Sequence, residues 1–215
     1  MNPKAFKSSY LLGALAAMIP LAVSCSPASP PAVETQKPEL SKAVVSVLER
    51  KIRLLEGLLS EHVIIETLRE SNLRHAETTQ TDILLADKEW RASTELSDFV
   101  KGFIINACAT RLVQFQDAHA GFAEIFVTNA KGLNACQTNR TTDYYQADEA
   151  WWQETYNEGA GHAYYGEIEY DESARSEAIG IFAPVRDVSE RTVIGIAKAV
   201  IPVSDIKKEI AGEIP

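Results

Sequence analysis

Six of the seven tyrosines and two of the three tryptophans of this 215-residue chain lie between Tyr144 and Tyr170. Arg140 and Asp143 precede that stretch, Glu149 lies inside it and Asp171 closes it. Rings with a polar handle beside charges of both signs suit a pocket that is apolar yet selective. Arg140 offers a planar fork to a carboxylate or phosphate. Asp143 and Asp171 offer a seat to an ammonium, helped by cation–π contact with Trp152 or Tyr145. Trp151 and Trp152 are adjacent, so on a helix they point about 100° apart. One therefore packs in the core while the other faces a guest, and Trp152 is the one expected at the pocket. Tyr170 ends a strand before a turn, where tyrosines also serve as half-buried packing, and Asp171 and Ser173 equally well build that turn. Arg175 and Arg186 read as solvated strand-end charges. Lys198 interrupts an apolar strand and points either to solvent or into the pocket; alternation alone does not decide.

Catalysis is less well supported. Asp143 and Glu149 resemble the carboxylate pair of glycoside hydrolysis, but acids at such spacing are common by chance. His62, His75, His119 and His162 are scattered without metal-ligand spacing. There is no Gly-x-Ser-x-Gly elbow and no Cys-x-x-Cys-His stretch for covalent haem. The expectation is a non-enzyme without cofactor or metal. A formal charge of −9 with no basic cluster argues against nucleic acid as a partner.

The start of the chain speaks to location. Lys4 and Lys7 precede "YLLGALAAMIPLAV", an apolar run of signal-peptide length that Pro20 interrupts and that is short for a membrane span. "LAVSC" resembles a bacterial lipobox, although its Leu21 stands one position further from the cysteine than usual. That resemblance implies cleavage of residues 1–24 and lipidation of Cys25; the plain alternative is an ordinary signal peptide. Ser26 is not the aspartate that commonly retains lipoproteins in the inner membrane. A periplasmic protein, lipid-anchored to the outer membrane of a Gram-negative host, is the expectation. Loss of Lys4 and Lys7 takes the charge from −9 to −11. "SPASPPAVETQKP" reads as an extended tether over residues 25–38, and residues 39–215 suffice for one domain with a sizeable core. Cys108 and Cys136 then remain, free to pair in an oxidising compartment or to stay as buried thiols.

The folded part opens with apolar residues in steps of three and four, from Val44 to Val63, which predict one long helix over residues 39–75 capped by Ser41. After the polar break "AETTQTD", a second helical region covers Lys88 to Ala118, divided at Gly102 or Asn106. The period then becomes strand-like over residues 122–201: "FAEIFVT", the turn "NAKG", "LNACQT", a short helix from Asp148 to Tyr156, then "AYYGEIEY", "SEAIGIFAPV" and "TVIGIAKAVI". Ser204 or Asp205 caps a last helix. Short turns between neighbouring strands make an antiparallel sheet with helices on its faces, an α+β fold.

In this order and spacing, "EIFVTNAKGLNACQTNRTTDYYQADEAWWQ", "EIEYDESARSEAIGIFAPVRD" and "TVIGIAKAVIPVSDI" resemble the extracytoplasmic Cache sensor domains, from about Leu40 to Ile210. The resemblance implies a PAS-like five-stranded antiparallel sheet with a long N-terminal helix and further helices packed on it. It also implies a pocket for a small carboxylate, amine or amino acid, with Arg140, Asp143, Tyr145, Trp152, Tyr170 and Asp171 as its ligand-binding residues. One departure stands out: where the amino-acid-binding subgroup has an arginine two residues before the second tryptophan, this chain has Ala150. A lone lipoprotein would hand its state to a signalling partner or a second copy through the N-terminal helix. A structural or assembly lipoprotein with the rings as plain core, and a carbohydrate-active protein, are the alternatives.

Overall fold

A computed structural model describes residues 40–93, 97–171, 175–187, 189 and 191–215. The leader, Cys25, the tether and Ser173 lie outside the described residues.

The long helix comes as two. Ser41 accepts the Val44 N–H and opens α1, Lys42–Leu59, and α2 follows as His62–Arg74. The break falls where helix propensity is weak: the Ser60 hydroxyl bonds back to the carbonyl of Gly57. Just beyond it, both carboxylate oxygens of Glu61 accept from the Arg111 guanidinium at 2.6 and 2.7 Å, which fixes the new direction. Periodicity continues across the break because both helices bury one stripe, from Val47 and Leu48 through Leu55 to Ile64 and Leu68.

The segment read as a polar break is partly a helix start. Thr79 and Asp82 form a reciprocal capping box that opens α3, Gln80–Ala92. Ser97 caps α4, Asp98–Ile104, and Asn106 caps α5, Ala107–Ala118, so Asn106 is a true divider. A disulfide joins Cys108 of α5 to Cys136.

Five strands follow: β1 Glu124–Asn129, β2 Asn134–Gln137, β3 Tyr164–Asp171, β4 Ser176–Asp187 and β5 Thr192–Pro202. All pair antiparallel in the order β2-β1-β5-β4-β3. The β1–β2 turn needs Gly132, whose φ is +79° and whose added Cβ would meet Ala147 at 2.4 Å. Between β2 and β3 lies α6, Ala150–Tyr156, and α7 ends the fold as Val203–Ala211. Pro202, not Ser204 or Asp205, precedes α7; Asp205 pairs with Lys208 instead.

One face of the sheet packs against α1, α2, α5 and α7 through Ile125, Val127, Ile179, Ile181, Ala183, Ala197, Ala199 and Ile201. Lys51 is buried there, its Nζ donating to Ala120 O at 2.8 Å and facing Glu209 at 2.9 Å. Burial, then the Arg50 charge, pulls the Lys51 ammonium down to about 8.

Candidate functional site

The opposite face carries polar and aromatic side chains in place of aliphatic ones. Register places Gln137 opposite Phe126, Phe126 opposite Lys198, Lys198 opposite Phe182 and Phe182 opposite Tyr164. One side chain from each strand thus forms a row across the whole sheet, and period two puts all five on one face. Lys198, undecided from the sequence, points onto that face, with Nζ 5.4 Å from the Trp151 ring centroid.

Trp151 closes the row from α6. Its ring stacks on Phe182 at 5.2 Å and 17°, and meets Phe126 edge-on at 5.9 Å. Tyr164 donates its hydroxyl to the Trp151 carbonyl at 3.3 Å, and burial pushes its phenol well above the ordinary value. Trp152 turns the other way. It is buried with Val193 and Ile196, stacks on Tyr156 and donates Nε1–H to Thr128 Oγ1 at 2.8 Å. Trp152, expected at the pocket, is thus buried against the sheet, while Trp151 covers the row.

The loop from Thr138 to Glu149 is pinned beside the row by α3. Buried Asp87 accepts the backbone N–H of Tyr144 and of Tyr145, and Trp90 donates Nε1–H to Thr141 O at 2.9 Å. Tyr144 stacks on Trp90, and Tyr145 packs partly buried against the same cluster. The Arg140 guanidinium lies 5.7 Å over the Trp90 ring and gives one N–H to the Trp90 carbonyl. Part of its fork is therefore committed. Its Nε, together with Asn134 Oδ1 and Gln137 Nε2, is buried without a hydrogen-bond partner among the described residues.

Asp143 accepts from Gln146 Nε2 at 2.6 Å and stands 3.6 Å from Arg91. Desolvation raises its carboxyl above the ordinary value despite that bond and that charge. Glu149 is raised as well, first by desolvation, then by Asp143 and Asp148, against Lys198 and Arg91. Glu149 thus feels Asp143, Lys198 and Arg91, and Asp143 feels Arg91.

Tyr170 and Asp171 stand apart. They end edge strand β3 opposite Glu177 and Ser176, and Tyr170 is 61% exposed. Tyr170 lies six positions along the strand from Tyr164, a span of about 20 Å. Of the six expected ligand residues, Arg140, Asp143 and Tyr145 share the loop, Trp152 lies buried beside it, and Tyr170 and Asp171 are remote from the row. Phe126, Gln137 and Phe182 were not expected, because only strand register aligns them with Lys198, and Trp151 was expected in the core. Among the described residues, no three His, Cys, Asp or Glu side chains stand together as a metal site, and no helix is long and apolar enough to cross a membrane.

No family model and no curated protein matches the chain. Solved structures with which it has a distant likeness are chemoreceptor and histidine-kinase sensor domains. One is the ligand-binding domain of the Campylobacter jejuni chemoreceptor Tlp3 in complex with 4-methylisoleucine, at 16% identity and TM-score 0.39, covering 81% of this chain and 66% of that one. Another is the ligand-binding domain of the Pseudomonas aeruginosa PAO1 amino acid chemoreceptor PctB with L-Arg, at 15% identity and TM-score 0.40, covering 78% of this chain and 55% of that one. A third is the sensor domain of the V. cholerae histidine kinase DctB, at 15% identity and TM-score 0.36, covering 76% of this chain and 59% of that one. This chain therefore spans about two thirds or less of each of these structures.

Proposed function

We propose that the chain is an extracytoplasmic small-molecule sensor whose ligand lies between α6, the Thr138–Glu149 loop and the five-residue row on the sheet. The observation that carries this reading is Lys198, a cation in mid-sheet between Phe126 and Phe182 and beside the Trp151 ring. A sheet face meant only as core would have an aliphatic residue there. Lys198 takes a ligand carboxylate, a role open because Ala150 stands where the amino-acid-binding subgroup has arginine. Asp143 and Glu149 take an amine. The orphaned Gln137 Nε2 and Asn134 Oδ1 support the same reading, since an unmade buried hydrogen bond costs about 1–3 kcal/mol and a guest can supply the partner.

In this proposal Cys25 carries a lipid that anchors the domain in the periplasm, at the outer membrane. The state of the site passes to a partner or a second copy. The outward face of α1 carries Glu49, Arg50, Arg53 and Glu56, so contact through that helix is made by charges, its apolar stripe being spent on β4.

The competing reading, a structural lipoprotein with the rings as core, draws support from the burial of Trp152 and Tyr144. A thermal-shift screen of the purified protein against amino acids, organic acids, amines, purines and sugars separates the two. A ligand at a hundred times its Kd adds about 2.7 kcal/mol, several degrees for a domain of this size. A hit that disappears in Lys198→Met and Trp151→Ala, with circular dichroism unchanged, supports the sensor. Silence across the library sinks it.

A further inference from the structure

Two buried side-chain amides of β2 end without a full set of partners. In a regular strand Asn134 and Gln137, three positions apart, would point to opposite faces. They share a face because the β1–β2 register shifts between Val127 and Thr128, which sets Asn134 opposite Thr128 and Gln137 opposite Phe126. Thr128 and Phe126 both meet the tryptophans of α6, so the bulge turns both amides toward that side of the sheet. Bulges that re-aim a side chain recur beside functional sites. Both residues are fully buried.

Their bonding leaves one acceptor and one donor over. Asn134 Nδ2 spends its hydrogens on Thr141 Oγ1 at 2.7 Å and Asp143 O at 2.9 Å. Turning the amide over would set Oδ1 against the Asp143 carbonyl, so Oδ1 is fixed as an acceptor without a donor. The neighbouring hydroxyls do not serve it. Thr141 gives its hydrogen to Asp143 O at 2.6 Å, and Thr128 gives its own to Ile196 O at 3.2 Å. Gln137 meets Thr141 Oγ1 only at 3.5 Å, through Oε1, and its Nε2 has no partner among the described residues. Whichever way that amide is turned, at least one of its two N–H groups stays unmet. Both amides touch the same hydroxyl, which places them side by side. An acceptor beside a donor is the complement of a carboxamide.

We propose that Asn134 and Gln137 form a subsite for a ligand carboxamide, Asn134 Oδ1 accepting its N–H and Gln137 Nε2 donating to its carbonyl. The proposal rests on the reading of this face as a ligand site and narrows it to a chemical class. Lys198 lies two strands from Gln137 in the same row, about 10 Å away between backbones. A carboxylate on Lys198 and a carboxamide on β2 define an open-chain acid of a few carbons that ends in an amide. Phe126, between them in the row, lies under its methylenes.

The test is titration calorimetry of the full chain with three acids of one shape: succinamate, levulinate and 4-methylpentanoate. They differ only at the far end, where the amide nitrogen and then the carbonyl oxygen are replaced by methyl groups. The series one carbon longer, glutaramate, 5-oxohexanoate and 5-methylhexanoate, is run beside it. In the series that binds more tightly, affinity is expected to fall in the order given, by about tenfold or more at each step. In Gln137→Met the second step should vanish. Equal affinities, or tightest binding of the branched alkyl acid as plain apolar burial would give, overturn the subsite, and this arm needs no protein variant. That result leaves the sensor reading standing. No binding by any of the acids up to about 10 mM overturns the subsite as well. The broad thermal-shift screen then judges the sensor reading separately, a hit keeping it and silence sinking both.

Discussion

On the α1 face of the sheet the strands present Ile125, Val127, Ile179, Ile181, Ala197 and Ala199, aliphatic and fully covered. On the α6 face the same strands present Gln137, Phe126, Lys198, Phe182 and Tyr164. The first face is covered by two consecutive helices and two later ones, and a disulfide staples α5 to β2 behind it. The second is covered by one seven-residue helix and a loop held at its base by Asp87. Two faces that alternate residue by residue along one strand thus serve different ends. The first gains stability from close-packed apolar area. The second keeps a cation and two raised carboxyls near aromatic rings, which costs desolvation and leaves polar atoms unpaired.

The sharpest way to break this contrast is within α6. Trp152→Ala removes a buried ring and its bond to Thr128, and should cost about 3–5 kcal/mol in urea unfolding. A loss as large in Trp151→Ala would mean that the α6 face is ordinary core after all. Opening the Cys108–Cys136 bond by Cys136→Ser releases a cross-link across a sequence separation of 28 residues, and should cost about 3–4 kcal/mol. Ligand-induced thermal shifts should survive that change, since the bond lies behind the opposite face. Lys198→Met should change stability by no more than about 1 kcal/mol in either direction, because its partners are aromatic. The same substitution should abolish the shift given by any carboxylate ligand found in the screen.

The smallest effect is that of pH. Asp143 and Glu149 have folded-state values raised above 3.8 and 4.5. The folded state therefore binds more protons than the unfolded state just above those values, and this pair makes stability fall as pH rises through that window. Asp143→Asn should flatten that part of the curve in urea melts between about pH 4 and 7. An unchanged slope would show that the carboxyl is not desolvated. Glu149, more exposed, contributes less.

Much of the fold was legible because its signals are local. Ser41 and Asn106 cap the helices they were expected to cap or divide, and the Asn129–Gly132 turn joins the strands that flank it. Errors arose where a local signal carried two meanings. Continuous periodicity hid the break at Ser60, and the polar run around Thr79 was a capping box as well as a break. The site was legible in composition but not in geometry. Arg140, Asp143 and Tyr145 do sit on one loop, yet which of Trp151 and Trp152 is buried was not legible, because the helix phase is set by which ring reaches Thr128.

By itself the sequence determined the α+β class, the order of elements and the gathering of rings and charges in one stretch. Each follows from residues within a few positions of one another. Only the tertiary structure decided that Gln137, Phe126, Lys198, Phe182 and Tyr164 form one row and that Tyr170 lies far from it. The reason is register. A shift of one residue in any strand pairing turns its side chains to the other face, and pairing between strands tens of residues apart is set by packing of the whole domain.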